Sequence, residues 1–203
     1  MEEVTIKQGE RPFRFGFVLG RFQQLHLGHE KMIDLGLRLC DNLLVLVGSA
    51  QERGTKRNPF PAELRIEMLL EVFGERAIVE PLPDYTNEND HSHAWGRYLL
   101  EAARAAGRAR GLPPLDLMLT GDDEERERWF PPEELAALAR VVLPRSAVPI
   151  RATDLRQAML ADDRAAWERG VNERLHRYYD DLRAQLLAVY RQEPEAGGAP
   201  SGK

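Results

Sequence analysis

Apolar and polar positions divide this chain into short apolar runs alternating with helical stripes. Phe13 to Leu19 (FRFGFVL) predicts a buried strand that runs into a glycine at Gly20. From Gly28 onward, Met32, Ile33, Leu35, Gly36, Leu37 and Leu39 recur at helical spacing. Leu43 to Val47 (LLVLV) is a continuous apolar run, the pattern of a strand covered on both faces. A polar loop from Gly48 to Phe60 follows, and Pro61 suits the first turn of a helix predicted over Leu64 to Phe73. Ala77 to Leu82 predicts a short strand, Asp84 to Ser92 a loop and Ala94 to Ala106 a helix. Leu115 to Leu119 predicts a fourth strand ending at Thr120-Gly121-Asp122. Leu135 to Leu143 predicts a short helix and then a strand, VVL. Thr153 is expected to cap and open a helix, and helical spacing continues with breaks to about Arg191.

Strand and helix alternate at roughly thirty residues per unit, which predicts an α/β fold. The expected architecture is a Rossmann-like, doubly wound parallel sheet of about five strands with a C-terminal helical segment. Sheets of this kind bind ligands at the carboxyl ends of their strands, where the strand order reverses. There is no internal repeat. A polar lead over residues 1–12, one domain over 13–192 and a tail over 193–203 with the composition of disorder make up the 203 residues. Leu175, Tyr178, Tyr179, Leu182, Leu186, Leu187 and Tyr190 are expected to cover the sheet or to form a subunit interface.

Charge and cysteine content narrow the function. A net charge of −5 argues against nucleic acid or an anionic membrane as partner, so any phosphate must be met locally by placed Arg and His residues. The N-terminus has no apolar signal core, and no run approaches the ~20 apolar residues that span a bilayer. The single cysteine, Cys40, excludes an internal disulfide and fits a reducing cytoplasm, and its setting predicts a packed thiol rather than a nucleophile. No Cys or His cluster has zinc-site spacing, so no protein-held metal is expected.

The densest chemical signal is Gly20 to His29, GRFQQLHLGH, directly after the first strand. Gly20 is expected to permit a tight turn and Gly28 a close backbone approach. The helix start is expected to present unpaired amides to an anion, with His26 and His29 flanking Gly28 so that both imidazoles face a phosphate there. Neither a Walker A sequence nor a GxGxxG fingerprint occurs. An isolated HxGH reads as readily as helix caps or a chance metal pair as it does as a phosphate site. GRFQ just upstream favours the phosphate reading.

These residues resemble the HxGH nucleotidyltransferase superfamily. With Gly48-Ser49-Ala50-Gln51 added, the chain is similar to the archaeal-type nicotinamide mononucleotide adenylyltransferases. Arg57-Asn58-Pro59-Phe60 with Glu63 to Leu69 (ELRIEML), and Arg151 to Arg156 (RATDLR), match later motifs of that family in order. The resemblance runs from about Phe13 to Leu186. It departs at Gln24, where the family has Pro, at Arg151, where it has Ser, and in a longer loop between Asp84 and Trp95 containing His91 and His93.

The resemblance implies attack by the 5′-phosphate of a mononucleotide on the α-phosphorus of ATP, with Mg²⁺ accompanying the nucleotide and pyrophosphate leaving. It implies catalytic roles for His26, His29 and Arg156. It places Gly20, Arg21, Phe22, Gln23, Gly28, Gly121 and Thr153 against ATP, and Arg57, Trp95 and Asp84 against the acceptor nucleotide. A homo-oligomer is expected, as is no second activity of the Nudix kind found downstream in some relatives. On residues alone, a Trp opening an amphipathic helix is core, His91 and His93 are exposed, and Asp122 to Arg128 is a solvated charge run. The alternatives are another acceptor (nicotinate mononucleotide, flavin mononucleotide or phosphopantetheine) or a nucleotide sensor without turnover, for which Arg151 is the only sequence support.

Overall fold

The computed structural model describes residues 11–87, 89–90, 92–121 and 126–192. Five parallel strands form one sheet: β1 (Phe13–Gly20), β2 (Cys40–Val47), β3 (Ile78–Pro81), β4 (Leu117–Gly121) and β5 (Ala139–Leu143). Their order is β3-β2-β1-β4-β5, so the chain winds outward in one direction from β1, then crosses back and winds outward in the other. The helices are α1 (Leu27–Leu39), α2 (Ala62–Phe73), α3 (His93–Ala109), α4 (Pro132–Leu135), α5 (Ala152–Leu160), α6 (Arg164–Glu168) and α7 (Tyr179–Gln192).

Alternation along each strand sends side chains to two separate cores. Val18, Leu43, Val45, Val47, Leu117 and Leu119 face one core, where they meet Ile33 of α1 and Met68, Leu69 and Phe73 of α2. Phe15, Phe17, Leu44, Leu46 and Met118 face the other, covered by Leu99, Leu100 and Ala103 of α3. This explains why LLVLV shows no polar alternation, since both of its faces are dry. The C-terminal helices complete the first core through Leu155, Trp167, Leu175, Tyr179, Leu182 and Leu186. They therefore cover the sheet, and each fully buried Leu contributes about 1.5–3 kcal/mol. Tyr190 stays exposed.

Several predicted boundaries move by one to three residues, β2 for example opening at Cys40 rather than Leu43, and two of the shifts have a visible cause. The fourth strand begins at Leu117 rather than Leu115, because Asp116 turns its carboxylate onto the amides of Arg14 and Phe15 at 2.8 and 3.0 Å. Pro61 takes the cap position of α2 instead of its first turn, and its carbonyl accepts from the Arg65 amide. Of the loop histidines, His93 is exposed and opens α3, while His91 lies outside the described residues. The same holds for Asp122 to Glu125 of the charge run and for the tail from residue 193.

Cys40 opens β2 fully buried, and burial pushes its thiol up to about 12. Iodoacetamide at pH 8 is therefore expected to leave native Cys40 unmodified and to alkylate it once the chain is unfolded in urea, since only the thiolate reacts. Intact-mass spectrometry reads this directly, and rapid native labelling would show a thiol far more reactive than its burial implies.

Candidate active site

The carboxyl ends of β1 and β4, where the winding direction reverses, open into a cleft of about 330 Å³. Gly20, Arg21, Phe22, Gln23, His26, Gly28, His29, Arg57, Gly121, Thr153 and Arg156 all line it. Residues up to 136 positions apart in sequence, Gly20 and Arg156, thus meet at one site, as the motifs predict. Trp95 and Asp84 are not among the lining residues.

At the start of α1 the structure corrects the expected bare amides. The Nδ1 of His26, itself the N-cap, accepts from the amides of Gly28 at 3.1 Å and His29 at 3.4 Å. The Leu27 amide donates to the Gly170 carbonyl at 3.0 Å, and the Glu30 amide to the His26 carbonyl at 3.1 Å. The open amides of Leu27, Gly28 and His29 are therefore taken, and the Glu30 amide makes the first bond of the helix ladder. Accepting at Nδ1 fixes the tautomer of neutral His26 with its proton on Nε2, and polarisation by two helix amides makes that N–H a stronger donor. His26 relays the positive end of α1 to its own imidazole. His29 stacks on it, with ring centroids 3.7 Å apart and planes 24° apart.

The two glycines serve these rings, not a turn. A Cβ on Gly28 would stand 2.9 Å from Cε1 of His26, and one on Gly20 would stand 2.7 Å from Cζ of Phe22. The expected tight turn at Gly20 is replaced by strain two residues later, where Phe22 holds φ 50°. Its ring is buried and meets His29 edge-on at 5.0 Å. A left-handed phenylalanine is costly, of order 1–3 kcal/mol, and such strain concentrates at functional sites.

The second helix facing the cleft is α5. Thr153 is not its cap. Arg151 takes that position without a side-chain cap bond, and Thr153 lies in the first turn. Capping by the Arg151 backbone falls on the amides of Asp154 and Leu155, and among the described residues no hydrogen bond engages the Ala152 and Thr153 amides. The anion-ready helix start is thus that of α5, beside Arg156. Arg156 Nη1 donates to the Gln23 carbonyl, and Nη2 to Thr153 Oγ1 at 3.4 Å. Burial draws the Arg156 guanidinium below its ordinary pKa; Tyr190 opposes this and the nearby Arg21 charge adds to it. Cations crowded together in a partly dry cleft gain most when an anion arrives.

Other predicted residues turn out to hold the loops. Gln23 exchanges two 2.9 Å bonds with the backbone of Phe60, so its amide ties the loop after β1 to the RNPF segment. Arg57 is exposed at the cleft and donates to Asn89 at 2.6 Å. Asp84 accepts from Ser49 at 3.1 Å and from Gln51 at 3.0 Å, which makes it a clasp on the GSAQ loop. Trp95 is 6% exposed in the core beneath α3, edge-on to Trp129 at 5.2 Å. Serine capping by Ser92 sets its position in the first turn and turns it toward the sheet. The apolar wall of Val148 and Ile150, which joins Leu143 at the end of β5, leaves no mark in the sequence, because the segment between β5 and α5 has no periodicity to read.

A cytidylyltransferase-like family model matches residues 17–107, which hold the loop after β1 and α1. A nicotinamide-nucleotide adenylyltransferase of Aeropyrum pernix is 30% identical over 171 residues, covering 81% of this chain and 90% of the relative. The chain belongs to this family. The enzyme of the same name from Saccharolobus solfataricus is 38% identical over 89 residues, covering 41% of this chain and about half, 52%, of that relative's length. Among solved structures, a bifunctional NMN adenylyltransferase/ADP ribose pyrophosphatase from Francisella tularensis, complexed with AMP and a manganese ion, shares the fold. Its TM-score is 0.63 at 16% identity, covering 86% of this chain and 52% of that one. A NadR protein in complex with NAD and AMP-PNP gives a TM-score of 0.52 at 22% identity, covering 80% and 45%. The chain spans about half the length of these two solved proteins. No helix among the described residues is long and apolar enough to cross a membrane.

Proposed function

We propose that this chain transfers the adenylyl group of ATP to nicotinamide mononucleotide, forming NAD and pyrophosphate. The observation that carries this reading is the convergence of the stacked His26 and His29 with Arg21, Arg57 and Arg156 at the sheet's switch point. An oxygen of the acceptor's 5′-phosphate forms a bond to the α-phosphorus of ATP. The bond from that phosphorus to the bridging oxygen breaks, and its electron pair leaves on pyrophosphate. The nucleophile is already anionic, so the site needs no general base and works by positioning and charge stabilisation.

In this reading the His26 and His29 imidazoles face the phosphates where negative charge develops. Arg156 and the open amides of Ala152 and Thr153 hold the β- and γ-phosphates, with Arg21 beside them. Arg57 meets the acceptor phosphate, while the clasp at Asp84 fixes the loop against which the acceptor lies. Gly20 and Gly121 let the nucleoside approach the carboxyl edge of the sheet.

Among the described residues no group of three or more His, Cys, Asp or Glu gathers to hold a metal, and the charged side chains lining the cleft are cationic. That donor set suits Mg²⁺ held by the triphosphate itself rather than by a protein cage. The ion then supplies neutralisation of phosphate charge.

The deciding experiment measures pyrophosphate release with ATP and Mg²⁺ and either nicotinamide mononucleotide, nicotinate mononucleotide or no acceptor. Release that depends on the nicotinamide compound, with NAD as co-product by mass, is expected. ATP binding without release for either pyridine nucleotide overturns the reading in favour of another acceptor or a sensor.

A further inference from the structure

Arg65, in the second turn of α2, is fully buried and lines no part of the cleft. Its guanidinium spends every contact on backbone carbonyls. Nη1 donates to Arg21 at 2.7 Å and Gly48 at 2.8 Å, Nη2 to Ser49 at 3.0 Å, and Nε to Pro61 at 3.3 Å. It forms no ion pair among the described residues. A buried cation with no carboxylate partner is expensive, and an apolar side chain would serve the packing of α2 at lower cost. What the carbonyls have in common is their location, since all but that of Pro61 lie in the loops leaving β1 and β2.

Those loops carry the two halves of the site. Arg21 precedes the strained Phe22 at φ 50°, and Gly48 precedes Ser49, which is also left-handed at φ 46°. Ser49 in turn grips Asp84 through its hydroxyl. One guanidinium therefore spans from the ATP-facing loop to the loop that orders the acceptor side. Its planar fork offers several N–H donors at fixed angles, which an ammonium lacks.

We propose that Arg65 is a positioning residue that sets the spacing between the loops after β1 and β2, and so between the two substrates. This rests on the adenylyltransferase reading above. Burial brings the Arg65 guanidinium down to about 10, with Glu63 and Asp84 supporting the charge and Arg21 opposing it, so it stays cationic at neutral pH. Each loop keeps its own substrate contacts when Arg65 is replaced. What is lost is their mutual registration, and a displacement of the order of 1 Å between reacting groups costs about 10²-fold in rate.

The test compares Arg65→Met and Arg65→Lys with the wild-type chain by steady-state kinetics, with hydrogen exchange as an independent readout. Arg65→Met is expected to lower kcat about 10- to 100-fold, with KM for ATP and for the mononucleotide each within about threefold. Arg65→Lys, which keeps the charge without the fork, is expected to recover little of the rate and decides the matter if the Met variant fails to fold. Amide exchange in segments 20–24 and 48–51 is expected to quicken in both. A kcat for Arg65→Lys within about twofold of wild type, or a loss carried by KM alone, overturns the proposal. A wild-type chain without turnover instead sinks the adenylyltransferase reading, and unchanged exchange at both segments then overturns the spacing role as well.

Discussion

Replacing His29 by Ala is expected to lower kcat for adenylyl transfer about 10²- to 10³-fold while leaving the fold intact. The imidazole of His29 lines the cleft and stacks on His26, whereas the α1 cap uses only its backbone amide. Alanine is at least as good a helix former in that first turn, so the cap and the helix survive. On the proposed reading the substitution removes a donor aimed at developing charge, together with the ring contacts to His26 and Phe22, and leaves the α1 cap bonds in place. His26→Ala makes the informative contrast, because it also strips the acceptor that engages Gly28 and His29. Loss of such a cap costs about 1 kcal/mol, so His26→Ala should lower both kcat and the melting temperature. His29→Ala should lower kcat alone. Kinetics and thermal melts run side by side on the two variants check this, and a His29→Ala kcat within threefold of wild type would remove that residue from the chemistry.

The contrast between these histidines shows where sequence reasoning reached and where it stopped. The strand-helix alternation, the motif order and the confluence at the switch point were all legible, because buried strands and phosphate loops need particular residue types in a particular order. Less legible was which polar group each polar group would meet. Nothing in HLGH says that Nδ1 of His26 consumes the amides expected to bind phosphate. That depends on a side-chain rotamer, and the Gly28 position that makes room for it reads equally well as a close approach to ligand. Thr153 lost the cap position to Arg151 for a similar reason, since helix starts shift by a residue without changing the pattern.

Trp95 and Arg65 make the same point from opposite sides. The apolar stripe of α3 assigned Trp95 to the core, the family resemblance assigned it to a ligand, and the structure follows the stripe. Arg65 stands in the amphipathic ELRIEML without any pattern that marks its role, yet it is one of the largest fully buried side chains among the described residues. Its partners are carbonyls of loops distant in sequence, and carbonyls leave no trace in side-chain pattern.

Arg156→Ala is expected to lower kcat/KM for ATP about 10²- to 10³-fold, and to do so with almost no change in the melting temperature of the ATP-free chain. The ground for the second half is electrostatic. Burial and the Arg21 charge both hold the Arg156 guanidinium below its ordinary pKa, with Tyr190 partly offsetting them. A cation whose folded pKa is depressed is destabilised in the folded state at every pH where it remains charged. Removing it relieves that cost while forfeiting the bonds to the Gln23 carbonyl and Thr153. In the presence of ATP the balance reverses on the proposed reading, because the triphosphate then brings counter-charge to the arginines that line the cleft. A ligand stabilises the folded chain by an amount that grows with the logarithm of its concentration over Kd and vanishes when Kd rises above that concentration. With ATP at about ten times the wild-type Kd, the ATP-induced shift should therefore largely vanish in Arg156→Ala. Arg156→Lys should restore little of it, since a compact ammonium lacks the planar fork that lets the guanidinium hold the Gln23 carbonyl at one edge while presenting parallel N–H groups to phosphate oxygens. Thermal melts with and without ATP measure both halves, and an undiminished ATP-induced shift in Arg156→Ala would place the triphosphate elsewhere.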